Sequence, residues 1–431
     1  MRTLIINATV LNGNKTESGI SLLIENELLV SMGRNIETKT EVDEIIDATG
    51  LYVLPGLVDA HCHLRDPGYE YKEDIETGTK SAAKGGFTSI ACMPNTNPPI
   101  DNAAVVRYIK DKAQSTGVVN VYPIGAITKG LEGTELAEMG TMKEAGIVAV
   151  SDDGRPVMNG DVMKKALIYA GQFGLPVISH CEDINLTDGG SMNEGQTSTL
   201  MGLRGIPSSS EDVMVSREIL LAEYTNVAVH IAHVSTKTSV DLVRQAKKRG
   251  VRVTAETCPH YFTLTEKACL GYDTNAKMNP PLRSEVDLKA VIEGLKDGTI
   301  DVIATDHAPH HIDEKNVEFE KAANGIVGFE TALALGYTYL VEPGHLTLSD
   351  LVQKMAVNPA RMLKIDKGSL ECEKAADLIL VDFNTEYKIE VSKFASKSKN
   401  SPFDGYKVKG RVITTIVNGK IVYQAVPIIQ R

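Results

Sequence analysis

Leu54-Pro55-Gly56-Leu57-Val58-Asp59-Ala60-His61-Cys62-His63-Leu64-Arg65-Asp66-Pro67-Gly68 is an apolar run that ends in two histidines one residue apart. Side chains two positions apart on a β-strand project to the same side. A strand ending here therefore aims both imidazoles at one place and turns Cys62 away. Two neutral imidazoles at one point suit zinc. With ten histidines in 431 residues, a single His-x-His is weak by itself. Its meaning depends on what ends the other strands.

Seven further β-type runs follow: Gly86 to Met93, Asn120 to Ile124, Gly146 to Ser151, Pro176 to His180, Ala228 to His233, Arg252 to Glu256 and Asp301 to Thr305. Helical patterns intervene over Ala103 to Ala113, Asp161 to Phe173, Asp212 to Tyr224, Ser239 to Arg249 and Glu285 to Lys296. Strand and helix in alternation signal βαβ units and a parallel sheet, and eight such units predict a (β/α)8 TIM barrel over residues 55–365. An open doubly wound sheet is the alternative, but no Gly-x-Gly-x-x-Gly or Walker-type phosphate loop is present.

Both ends of the chain read differently. Thr3 to Val10, Ile20 to Glu25, Leu28 to Met32 and Glu44 to Leu54 are short β-type runs punctuated by Gly13, Gly33 and Gly50. The same texture returns in Ala376 to Asp382, Tyr387 to Val391, Lys409 to Val417 and Lys420 to Tyr423, with Asn418-Gly419 as a hairpin turn. Residues 1–54 and 366–431 are expected to pair as one small β-sandwich domain.

Charged residues at 23 % and hydrophobic residues at 42 % are ordinary for a globular enzyme. No apolar stretch is long enough to cross a bilayer, so no membrane is expected. The N-terminal run is too short for a secretory signal, and the expected location is cytoplasmic. Six scattered cysteines read as reduced thiols rather than a disulfide framework. With a net charge of −11 and only short basic clusters such as Lys247-Lys248-Arg249, nucleic-acid binding is disfavoured.

Barrel active sites sit at the carboxyl ends of the strands. There this chain places His61 and His63 (first strand), Asp152-Asp153 (fourth), His180 (fifth), His233 (sixth) and Asp306-His307 (eighth). Any one of these alone is more often a solvated loop residue or a hydrogen-bonded core histidine, but five strand ends together point to a shared site. His230, His260 and His345 lie outside this pattern and are not assigned as ligands. Four imidazoles and two carboxylates exceed the three protein ligands of a mononuclear catalytic zinc, which favours two metal ions sharing a bridge and activating water. Asp152 and Asp153 would point to opposite faces if extended, and spacing does not choose between them.

At these residues the chain resembles the amidohydrolase superfamily and, within it, the bacterial dihydroorotases of the longer, type I form. The resemblance runs end to end. It rests on Val58 to Gly68, Met93-Pro94-Asn95-Thr96-Asn97-Pro98, Ser151-Asp152-Asp153-Gly154, Glu256-Thr257-Cys258-Pro259-His260-Tyr261, Lys277 to Arg283 and Ala304-Thr305-Asp306-His307-Ala308-Pro309-His310. It implies reversible cyclisation of N-carbamoyl-L-aspartate to L-dihydroorotate in pyrimidine synthesis, with two zinc ions per subunit. His61 and His63 would hold one zinc, His180 and His233 the other, and Asp153 would bridge them. Asp306 would bind metal and shuttle the proton. Arg65, Asn95, Asn279 and His310, with Asn324 and Gly325, would hold the substrate. A homodimer and an association with aspartate transcarbamoylase are open partner readings.

Related hydantoinases and allantoinases bridge their metals with a carboxylated lysine, whereas the fourth strand here offers none, which favours an aspartate bridge. Departures from the common family pattern are Cys62, Asp66 and Ala323-Asn324-Gly325, where the family commonly has Pro-Phe-Gly. The charged stretch from Pro309 to Gly328 is expected to be a mobile loop closing over the barrel mouth. The competing readings are a hydantoinase, dihydropyrimidinase or allantoinase, against which Arg65 argues, and a non-catalytic scaffold homologue, against which the intact ligand set argues.

Overall fold

The computed structural model describes residues 1–34, 36 and 41–425. Eight parallel strands follow one another in chain order: Leu57–Cys62, Phe87–Cys92, Asn120–Ala126, Ala149–Ser151, Val177–Ser179, Val229–Ile231, Val253–Thr257 and Val302–Ile303. Each lies on one of the eight runs read from the sequence. The first two are buried at every position, which is why they read as continuous apolar runs rather than alternations. Between the eighth strand and the first, the ring is closed by a parallel bridge of Cys62 to His307 and by the His63 amide donating to the His307 carbonyl at 2.8 Å.

Alternate strand positions separate into two packing layers. Val58, Ala60, Ala91, Ile124, Ala149, Ile178, Ala232 and Val302 form one cluster, which by strand alternation fills the inside of the barrel. Leu57, Ile90, Val150, Val177, Ile231, Ala255 and Ile303 belong to the larger cluster shared with the surrounding helices. Those helices include Ala103–Thr116, Gly160–Gln172, Ser209–Thr225, Lys237–Lys248 and Glu285–Lys296. Their starts are set by local chemistry. Asn102 and Asn159 cap first-turn amides, and Ser284 with Asp287 forms a capping box.

The chain ends share one mixed sheet. Its neighbours in order are Lys420–Gln424, Arg411–Val417, Leu378–Asp382, Tyr52–Pro55, Arg2–Asn12, Lys15–Glu25 and Leu28–Gly33, with Glu44–Asp47 also paired to Arg2–Asn12. The N-terminal and C-terminal parts meet where Leu378 lies opposite Pro55. The expected single strand from Glu44 to Leu54 is broken into two. Gly50 takes φ +80°, and Asp47 Oδ1 accepts from the Thr49 amide at 3.0 Å, which makes a turn. Asn418 and Gly419 both take positive φ, 47° and 73°, as the hairpin requires.

This sheet matters to the site because Tyr52–Pro55 runs through Gly56 directly into the first barrel strand. A Cβ at Gly56 would lie 2.2 Å from Thr88 Oγ1, so only glycine lets the two strands approach there. Among the described residues no helix is long and apolar enough to cross a membrane.

Candidate metal centre

The carboxyl ends of the strands bring His61, His63, Asp153, His180, His233 and Asp306 together. All six are buried. Asp153 lies at their centre. Its Oδ1 is 3.3 Å from His61 Nε2, 3.3 Å from His180 Nδ1 and 3.4 Å from His233 Nε2, while Oδ2 is 3.5 Å from His63 Nε2. Asp306 Oδ1 stands 3.1 Å from His63 Nε2 and 3.6 Å from His61 Nε2. Ligand atoms of His61, His63 and Asp306 lie within 4.8 Å of one another, as do those of His61, Asp153 and His233.

Strand geometry explains which neighbours are left out. Asp152 faces away, accepting from the amides of Ile127 (2.8 Å) and Thr128 (3.0 Å) and from the Thr128 hydroxyl. Cys62 turns from the site, its thiol donating to the Ala91 carbonyl at 3.3 Å. His307 stacks on Phe329 with ring centroids 4.0 Å apart. Three site residues, Arg65, His233 and Asp306, take positive φ of 61°, 32° and 46°, a strain that clusters at functional positions.

Three of the four imidazoles have one nitrogen turned outward to a fixed partner, whereas His233 Nδ1 is buried without one. His61 Nδ1 is 2.6 Å from Glu256 Oε1, His63 Nδ1 is 2.8 Å from Asn95 Oδ1, and His180 Nε2 is 2.8 Å from Glu182 Oε2. The opposite nitrogens, His61 Nε2, His63 Nε2 and His180 Nδ1, face Asp153. His61 Nε2 and Asp153 Oδ1 are buried without a hydrogen-bond partner, a large cost unless a cation takes them. Burial alone would raise the Asp153 carboxyl, but His61 and the adjacent His180 and His233 imidazoles hold it well below the usual range. An ionised carboxylate among aligned imidazole lone pairs fits a divalent cation of borderline softness.

The remaining predicted residues rim this centre. Arg65 is buried, its Nε donating to the Pro309 carbonyl at 3.1 Å, with Nη2 3.3 Å from His310 Nε2. His310 Nε2 donates to the Asn324 carbonyl at 2.8 Å. Burial, with the cations of Arg65, Lys72 and Lys315, holds the His310 imidazole far below its ordinary range, so it is neutral. Asn279 donates to Glu182 Oε2 at 2.8 Å. Gly325 takes φ +131°, and a Cβ there would meet the Ala308 Cβ at 2.7 Å.

The stretch from Pro309 to Gly328 is pinned from beneath. Lys315, 3 % exposed, donates to the carbonyls of Thr274 (2.9 Å), Lys277 (3.2 Å) and Ala323 (2.7 Å). Lys277 donates to those of Glu320 and Ala322, each at 2.8 Å. Asn400 Nδ2 holds the carbonyls of Ala308 and Gly325, each at 3.0 Å.

Glu182, Glu256, Lys277, Lys315 and Asn400 were given no role from sequence, and His230 was set aside as a non-ligand. Glu256 left one signal, its place at the head of the Glu256-Thr257-Cys258-Pro259-His260-Tyr261 motif. Asn400 left none, because it comes from the distant C-terminal segment.

A family profile described as dihydro-orotase-like matches residues 50–239. A dihydroorotase of Acetivibrio thermocellus is 62% identical over 420 residues, covering 97% of this chain and 98% of the relative. One of Pelobacter propionicus is 54% identical over 425 residues, covering 98% and 100%. Among solved structures, the L-hydantoinase (dihydropyrimidinase) of Arthrobacter aurescens superposes with a TM-score of 0.89 at 26% identity, covering 99% of this chain and 97% of that one. With identity of this order to dihydroorotases along nearly its whole length, and its six buried imidazole and carboxylate side chains converging at the barrel mouth, the chain belongs to the dihydroorotase family of the amidohydrolases.

Proposed function

We propose that this enzyme interconverts N-carbamoyl-L-aspartate and L-dihydroorotate at the barrel mouth, using two zinc ions held by His61 and His63 on one side and His180 and His233 on the other. One observation carries this reading: a single buried carboxylate, Asp153, turns one oxygen to three imidazoles and the other to the fourth. That is the disposition of a bridging ligand. When bound, the zinc ions supply Lewis acidity toward the substrate carbonyl and toward water.

The chain's own residues divide the remaining work. In ring opening Asp306 Oδ takes the proton of the attacking water and returns one to the leaving ring nitrogen; in ring closure the transfers reverse. Arg65 offers its free guanidinium N–H groups to the substrate carboxylate. Asn95, its oxygen engaged by His63, keeps its amide N–H groups for substrate, and Asn279, its nitrogen engaged by Glu182, keeps its oxygen. Neutral His310 and the backbone at Asn324 and Gly325 complete the carboxylate side. The segments 1–54 and 366–431 act as a support domain for a barrel of residues 55–365. A homodimer and docking to aspartate transcarbamoylase are further parts of this proposal, readable by sedimentation of the chain alone and with that enzyme.

Steady-state assays with dihydroorotate, dihydrouracil, hydantoin and allantoin, with metal analysis of the active sample, test the reading. Dihydroorotate as the best substrate and close to two zinc ions per chain are expected. Dihydroorotate as the poorest substrate would overturn it.

A further inference from the structure

His61 is not held by the metal-facing groups alone. Its Nδ1 lies 2.6 Å from Glu256 Oε1, and the other oxygen of that carboxylate lies 3.1 Å from His230 Nε2. His230 Nδ1 is in turn 2.8 Å from Thr254 Oγ1. Glu256 and Thr254 are two apart on the seventh strand, and His230 on the sixth is the register partner of Thr254. The sheet itself therefore sets this column. His61 and Glu256 are fully buried and His230 is 1 % exposed, so water does not compete for the column's inner bonds.

The donors and acceptors can be assigned end to end. A carboxylate only accepts, so His61 Nδ1 and His230 Nε2 both carry protons toward Glu256. In neutral His230, Nδ1 then accepts from the Thr254 hydroxyl. In the neutral form that a metal ion requires, a proton fixed on Nδ1 leaves His61 a lone pair on Nε2, the atom 3.3 Å from Asp153 and 3.6 Å from Asp306 that has no hydrogen-bond partner.

We propose that Glu256, oriented by His230 and Thr254, is a positioning residue that locks His61 in the tautomer able to take a metal ion. This rests on the reading of His61 as a zinc ligand. An outer carboxylate of this kind changes metal affinity by roughly ten- to a hundred-fold when removed.

The test measures zinc(II) affinity by chelator competition, with thermal unfolding of the metal-free proteins and ¹⁵N spectra of the histidine rings. Glu256→Gln and His230→Phe are expected to weaken zinc binding about ten- to a hundred-fold, while His230→Gln, whose amide can still donate to Glu256, restores most of it. The ¹⁵N spectrum should show His61 protonated on Nδ1 in the native protein and mixed in Glu256→Gln. Native zinc affinity and an unchanged ring spectrum in Glu256→Gln and His230→Phe, alongside weakened binding in His61→Asn, would overturn this inference alone. Native affinity in His61→Asn would overturn the ligand reading and this inference with it.

Discussion

Asp152 and Asp153 are adjacent in the chain, yet their carboxylates serve opposite sides of the fourth strand end. Asp152 accepts three hydrogen bonds from Ile127 and Thr128, whereas Asp153 stands among four imidazoles. One anchors a loop and the other makes the centre.

Exchanging each for asparagine separates the two jobs. Asp153→Asn should lose zinc and turnover while the metal-free protein still folds. Asp152→Asn should keep its zinc and lower stability by about 1–3 kcal/mol, since buried hydrogen bonds to a charged group are weakened. Metal content and urea midpoints check both, and loss of zinc in Asp152→Asn with retention in Asp153→Asn would reverse the assignment.

Asp306→Asn preserves volume but removes the proposed proton carrier. Turnover should fall by about 10²–10⁴-fold in both directions, the size expected for a positioned acid or base. Circular dichroism should be unchanged. Near-native turnover would exclude the shuttle role.

His310 is kept neutral by burial and by three nearby cations, so it does not titrate in the working pH range. His310→Asn should raise KM for dihydroorotate yet leave the shape of the pH profile of kcat/KM unaltered. Disappearance of the acid limb in this variant would mean that His310 does titrate.

Lys315 gives three carbonyls a donor each. Lys315→Met strands those oxygens, so amide hydrogen exchange across 309–328 should quicken and KM should rise more than kcat falls. In the native protein, dihydroorotate should slow exchange of the same amides. Exchange indifferent to both the substitution and the ligand would remove this segment from substrate binding.

Chelation should abolish turnover and lower Tm, with zinc restoring both, because an ion that binds only the folded chain stabilises it by mass action. An unchanged Tm after full metal removal would argue against a cation at Asp153.

Much of the framework was legible in the sequence because the signals are local. Eight apolar runs became eight barrel strands, and Glu285–Lys296 has the bounds that its periodicity gave. The run from Glu44 to Leu54 misled because its apolar residues continue through a turn set by Asp47 and Gly50. Five of the six residues of the centre could be named from their places at strand ends, while position alone left Asp152 and Asp153 open and only the resemblance pointed to Asp153. Their supports, such as Asn400 beneath Ala308 and Gly325, come from segments whose spacing carries no trace of the pairing.

The sequence by itself determined the period of strand and helix, the strand ends bearing imidazoles and carboxylates, and the turn at Asn418-Gly419, because each follows from neighbours a few residues apart. Only the tertiary structure decided that Asp153 rather than Asp152 faces the histidines, that Glu256 and His230 back His61, and that two buried lysines pin the mouth loop. Those relationships depend on the closure of the barrel, which brings residues as far apart as His61 and Glu256 to 2.6 Å, and no short-range pattern encodes the direction in which a side chain points once the ring is shut.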